Sequence, residues 1–182
     1  MVSSTSSTTN PVFRTHGYAD TDGVGGGDDQ VALITNAVSR LIVDSNSRVS
    51  LSNNDNGTSN TIFGKSAGSP GAGSDYNVMI GYGAGTAITT AEKSIGIGGS
   101  ALLSATTSTL NTAVGFEAGV SLTTGAGQNT FLGYQAGRQA TTTVYSVIIG
   151  AYAGYNHSIG GGNNVHIGWG SGQYASGSNN TF

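Results

Sequence analysis

Residues Asn129 to Gly137 read NTFLGYQAG, and six other segments of the chain repeat this pattern without a gap. They are NTIFGKSAG from Asn60, NVMIGYGAG from Asn77, SIGIGGSAL from Ser94, NTAVGFEAG from Asn111, SVIIGAYAG from Ser146 and NVHIGWGSG from Asn164. The starts are evenly spaced from Asn60 to Asn111 and shift by no more than a single residue after that, and an eighth unit opens at Asn180. The insertions fall in the connecting segments and never in the unit itself. A near-constant period of this kind marks a stacked repeat. No unit can bury its apolar face alone, but neighbours stacked on one another share a continuous core.

Each position of the unit has a physical reading. Position four is always apolar: Phe63, Ile80, Ile97, Val114, Leu132, Ile149 and Ile167. Position two is mostly β-branched, as in Val78, Ile95 and Thr112. Residues two apart on a strand share a face, and this face is expected to be the core. Position three, which holds His166 in the last full unit, is then expected to point outward. Position five is glycine in every unit, which predicts a corner with positive φ or a close backbone approach. A β-branched residue there, as in Gly115→Val, is expected to be harmful. Position eight is alanine except for Ser171, and suits the crowded inside of a second, shorter strand. Position nine is glycine except for Leu102, and reads as a second corner. The fold class is all-β, a β-solenoid or β-roll with about 17 residues per coil.

Position six is often large: Lys65, Tyr82, Phe116, Tyr134 and Trp169. A row of exposed rings suits an interface with another chain, so a homotrimer of thin coils is expected. Tyr134, Tyr155 and Trp169 are expected to serve packing and not recognition.

Three segments are expected along the chain. Residues 1–35 lack the repeat, are rich in Gly and Asp, and read as a docking region that orders on a partner. Residues 36–59 read as a β-hairpin connector, with Arg40–Asp44 and Arg48–Leu51 as its strands and Ser45, Asn46 and Ser47 as its turn. Residues 60–182 form the repeat shaft. The last three residues, Asn180 to Phe182, begin an eighth unit, so the shaft is expected to continue beyond them.

Composition narrows the function. Charged residues make up only 8% of the chain, well below the roughly one quarter of an ordinary domain. Hydrophobic residues reach 36% and the net charge is -3, so the chain does not have the composition of a disordered segment. Six scattered Lys and Arg supply no basic stripe for nucleic acid. There is no cysteine, hence no disulfide or thiolate metal site. No apolar run is long enough for a membrane span, and Met1 to Asn10 has neither the basic nor the apolar region of a secretory signal.

The Asn-x-x-Ile-Gly-x-x-Ala-Gly unit resembles repeats of bacteriophage tail fibres and is similar to the head repeats of trimeric autotransporter adhesins. The segment Arg40-Leu41-Ile42-Val43-Asp44-Ser45-Asn46-Ser47-Arg48-Val49-Ser50-Leu51 also resembles a tail-fibre segment of pattern Arg-Leu-x-Ile-Asp-x-x-Gly-x-Val-x-Ile, with Ser47 in place of the usual turn glycine. Together the two cover residues 40–182. The resemblance implies a homotrimeric virion fibre, assembled in the host cytoplasm. It would dock on a tail or baseplate protein through its N-terminal region and carry a host-receptor-binding region downstream. A bacterial trimeric surface adhesin and a polysaccharide-degrading tail spike are the alternatives. The adhesin would need a secretory signal.

No enzymatic activity and no cofactor is expected. Glycoside hydrolysis needs two carboxyl groups facing one bond. From Asn60 onward the acids are Asp75 and Glu92 in return loops and Glu117 at position seven. His16, His157 and His166 are far apart, and a metal-binding histidine ring on a trimer axis is the less expected reading. Asp20, Asp22, Asp28 and Asp29 faintly resemble a calcium loop but lack its distal glutamate. Gly25 to Gly27 and Gly160 to Gly162 precede no Lys-Ser/Thr pair, so neither is a phosphate cradle. Tracts such as Thr141 to Thr143 suggest an ice-binding face only if Thr recurs at one place in every return loop, and it does not.

Overall fold

The computed structural model describes residues 59–68, 73–123, 125, 127–156 and 161–182, together with the backbone of four strands nearer the N-terminus. The chain divides into two compact units, Met1–Ser52 and Asn53–Phe182.

The first unit holds strands β1 (Gly23–Gly25), β2 (Val31–Thr35), β3 (Val38–Val43) and β4 (Val49–Leu51) in one antiparallel sheet of order β1-β2-β3-β4. Strands β3 and β4 are the two arms of the expected hairpin, with Leu41 opposite Leu51 and Val43 opposite Val49. The turn residues Ser45, Asn46 and Ser47 lie outside the described residues. Strand β2 pairs with β3 through a bulge at Leu33 and Ile34. The sheet therefore spans the expected division between residues 35 and 36.

The second unit is a parallel β-solenoid with one strand per coil. The strands are β5 (Thr61–Phe63), β6 (Val78–Ile80), β7 (Ile95–Ile97), β8 (Thr112–Val114), β9 (Thr130–Leu132), β10 (Val147–Ile149) and β11 (Val165–Ile167). They stack in chain order into one seven-stranded sheet, and every pair is in register, position for position. We number the coils as rungs one to seven after these strands.

Strands end at the position-five glycines, whose φ angles run from +124° to +139°. A Cβ on Gly81 would sit 2.7 Å from the carbonyl oxygen of Gly98 in the next rung, and one on Gly64 would sit 2.6 Å from that of Gly81. Both expected reasons for glycine therefore hold at once. The second, shorter strand is absent among the described residues. Positions five to twelve instead make two successive tight turns, closed by Ala84 N–H to Gly81 C=O (3.3 Å) and Ile88 N–H to Gly85 C=O (3.1 Å). Position seven also takes a left-handed φ, even where it is Glu117, Gln135 or Tyr152. Its N–H is committed to the preceding rung, as in Glu117 to Gly99 and Gln135 to Phe116, both 2.8 Å. That bond holds an otherwise unfavourable conformation.

The faces of the strand are the reverse of the expected ones. Position three is buried in Met79, Ala113, Phe131, Ile148 and His166, while positions two and four are half-buried or exposed. The physical reason is width. The coil interior admits one strand side chain per rung, packed on the position-eight alanines Ala84, Ala101, Ala118, Ala136 and Ala153. Position twelve fills the rest of the interior, as Ile88 and Leu122 do. One face of a strand points inward, so the pair at positions two and four is carried outside.

Position three varies in size because its surroundings compensate. Where it is large, position nine is glycine. A Cβ on Gly68 would lie 2.7 Å from Ile62 Cδ1, and one on Gly85 would lie 2.6 Å from the Met79 sulfur. In rung three the roles exchange: position three is Gly96, and Leu102 at position nine turns inward and is fully buried. Leu102 does so at φ +52°.

The exchange makes a measurable claim. Gly96→Val should crowd Met79 and Leu102, and Leu102→Gly should open a cavity at a cost of about 2–5 kcal/mol. The double variant recreates the arrangement of the other rungs. Denaturant unfolding should find it more stable than the sum of the single changes by on the order of 1–3 kcal/mol. Strict additivity would show that the two sites do not share one volume.

Candidate functional site

Position one builds a buried polar ladder through the whole shaft. Asn60, Asn77, Ser94, Asn111, Asn129, Ser146 and Asn164 are all buried. Each side-chain oxygen accepts the N–H of the same position in the next rung. The bonds run Asn77 to Asn60 (2.8 Å), Ser94 to Asn77 (3.0 Å), Asn129 to Asn111 (3.1 Å), Ser146 to Asn129 (3.0 Å) and Asn180 to Asn164 (2.9 Å). The asparagine amide then donates to the far end of its own coil: Asn60 to Ser74 O (2.6 Å), Asn77 to Ala91 O (2.8 Å) and Asn129 to Thr143 O (2.8 Å). One side chain thus closes its own rung and clips on the next. The sequence displays this column plainly, but periodicity alone attaches no chemistry to it.

The return loops carry a second set of clips. Thr89, Thr106, Thr123 and Thr141 fall at one place in four consecutive rungs. Thr89 Oγ1 donates to Thr106 O (3.0 Å) and Thr123 Oγ1 to Thr141 O (3.1 Å). The hydroxyls of Thr89 and Thr123 thus bind the neighbouring backbone.

The outward face of the sheet carries an apolar side chain at position four of every rung and Val, Ile or Thr at position two. Positions two and four place Ile95, Phe63, Leu132 and Ile167 in the open, with Phe63 67% and Ile167 58% exposed. Valines and isoleucines of the other rungs lie half-buried between them.

A different surface follows the position-five corner. Phe116 stacks on Tyr134 with centroids 5.7 Å apart and planes within 13°. Tyr134 meets Tyr152 edge-on at 5.3 Å, and Tyr152 meets Trp169 edge-on at 6.3 Å and Tyr155 at 5.6 Å. Beside these rings Glu117 Oε2 accepts from Arg138 Nε (2.7 Å) and Gln135 Nε2 (2.8 Å). The Arg138 guanidinium lies 5.5 Å from the centre of the Tyr155 ring. The Arg138 bond first, then the Gln135 bond, hold the Glu117 carboxyl below its usual range.

Glu117 belongs to this cluster, whereas Asp75 and Glu92 occupy equivalent places in adjacent return loops. Glu92 is paired with Lys93 at 2.9 Å, and Lys93 lies 5.9 Å over the Tyr76 ring. Among the described residues no three His, Asp or Glu side chains are grouped to hold a metal ion. His16, His157 and the acidic stretch from Asp20 to Asp29 lie outside the described residues.

His166 is fully buried, a correction to its expected outward place. It occupies the core column between Ile148 and Phe182, and its ring meets Phe182 edge-on at 5.2 Å.

No protein-family model, curated protein or solved structure matches the chain.

Burial pushes the His166 imidazole below its ordinary value of 6.5. The unfolded chain then takes up the proton first as pH falls. The neutral-histidine contribution is complete above about pH 6.5 and declines below it. Glu117, held below 4.5, adds its own loss only at lower pH. The melting temperature should therefore fall between about pH 6.5 and pH 5. His166→Ile, which copies Ile148 one rung earlier, should flatten that interval. An unchanged slope in the variant would exclude His166 as its source.

Proposed function

We propose that the chain is a structural subunit of a phage tail fibre, acting as a homotrimeric shaft and not as an enzyme. The observation that carries this reading is the apolar face of positions two and four, repeated on all seven strands. A surface with a period of one rung, roughly 4.8 Å, is covered along its length only by something of the same period. A further copy of this chain has that period. The thin core supports the same conclusion, because an isolated coil leaves much of its apolar surface in water. Position six is thus replaced by positions two and four as the proposed contact between chains.

The polar ladder suits mechanical work. Every rung is bonded to the next at position one, along the strand and again at positions five, seven and nine. Force along the shaft is shared over many bonds. The N-terminal unit would dock on a tail or baseplate protein, and a downstream region would bind the host receptor. The resemblance of the repeat and of the hairpin to tail-fibre segments supports this assignment over an exported adhesin or a depolymerising spike.

Light scattering of the purified chain should give three times the 18.1 kDa of one chain. Ile149→Arg or Val147→Arg, each placing a charge on the sheet face, should yield smaller species. A stable folded monomer at micromolar concentration would refute the assembly. The virion assignment has its own test: removing the unit Met1–Ser52 should leave shaft trimers intact and abolish their incorporation into particles. Normal incorporation would refute docking through that unit.

A further inference from the structure

The aromatic cluster beside Glu117 departs from the repeat, and the departure is informative. Positions two and four present similar side chains on every rung. The cluster occupies rungs four to seven only. Earlier rungs place Lys65, Tyr82 and Gly99 at position six and Ser66, Gly83 and Ser100 at position seven. A contact between identical periodic shafts has no need of a group confined to part of their length. A discrete ligand does.

We propose that this cluster is a binding site for a neutral glycan. Trp169 is 76% exposed, and Phe116 and Tyr134 are 48% and 44% exposed, so ring surface faces solvent. Such rings offer flat apolar surface that matches the C–H face of a sugar ring. At their edge stand an acceptor, Glu117, and two donors, Gln135 and Arg138, suited to hydroxyls that both give and receive hydrogen bonds. The carboxylate and the guanidinium cancel, so the cluster favours neither an anion nor a cation. Both bonds to Glu117 end on Oε2, which leaves Oε1 as an acceptor for the ligand. The rings already rest on one another, and the polar groups are already paired. Little side-chain freedom is left to lose when a ligand arrives. The proposal gives Tyr134 and Trp169 a role beyond packing, and it does not depend on the fibre assignment.

Trp169 is the only tryptophan in the chain, so its emission reports the site directly. The assembled full chain would be titrated with maltohexaose, cellohexaose and chitohexaose as neutral probes and with polysialic acid as an anionic one. We expect a saturable shift in Trp169 emission with at least one neutral probe. Tyr134→Ala and Arg138→Ala should each weaken binding by about tenfold or more, with circular dichroism unchanged. Tyr82→Ala, outside the ring cluster, should leave binding as it was. Acrylamide quenching of the unliganded protein separates this site from an interface between copies. If the quencher cannot reach Trp169, the rings are covered by another chain and the proposal fails. It also fails if no neutral probe shifts the emission, if only polysialic acid does, or if binding ignores Tyr134 and Arg138.

Discussion

The shaft depends on the buried oxygen at position one. A parallel stack must satisfy the N–H that opens each strand, and that group lies inside, away from water. The asparagine oxygen of the rung before supplies the acceptor, as Asn60 does for Asn77. Its amide closes the loop that returns to the same edge. Truncating such a side chain would strand two buried backbone groups at about 1–3 kcal/mol each. Serine can stand at Ser94 and Ser146 because its hydroxyl keeps the bond to the next rung and donates to the return loop just before it instead of closing its own coil. Ser146 Oγ accepts from Asn164 N–H (3.1 Å) and donates to Val144 O (3.1 Å). Valine or leucine could do neither. The ladder also fixes register, because a slip by one residue would break the bond on every rung together.

Close approach of the backbones follows from that register. With position one clipped to position one, position five of each rung lies directly beside position five of the next. No Cβ fits between Gly81 and Gly98. The coil that results is narrow. Its interior is lined by alanine at position eight and filled by the side chains at positions three and twelve, such as Met79 and Ile88. A core of this width cannot take up all the apolar residues that one repeat carries. The remainder appear on the outside of the same strand. Narrowness of the single coil and the apolar outside of its strand are one fact seen from two sides.

This explains which parts of the fold were legible in the sequence. The period, the seven strands and the position-five corners are fixed by invariant residue types, and the in-register sheet displays them directly. The hairpin of β3 and β4 was legible from two β-prone runs around turn formers. The inside of the strand was not. Hydrophobicity ranks positions two and four above position three, where Gly96, Ala113 and His166 look like surface residues. Their burial follows from volume, which is shared across rungs: Leu102 fills what Gly96 leaves. Sequence periodicity compares a position with itself and misses such exchange between positions three and nine. The left-handed turns at Glu117, Gln135 and Tyr152 were hidden for a related reason. Tertiary hydrogen bonds impose them on residues that do not favour them. The aromatic cluster was legible in part, as the row of rings at position six, but Tyr152 and Tyr155 stand at positions the repeat assigns to no role.

A repeat protein separates its duties by periodicity. What must happen on every rung is written at fixed positions, and here that is stacking. What happens once can only be written as a departure. The first three intervals between repeats are identical, and every change of spacing falls from Asn111 onward. The ring cluster and the Glu117–Arg138 pair fall in that same part. None of them is needed for stacking, because rungs one to three stack with the same ladder and the same glycine contact without them. Side chains that the scaffold does not require, held in fixed positions by one another and turned toward solvent, are where specific recognition can be added without disturbing the register on which the shaft depends.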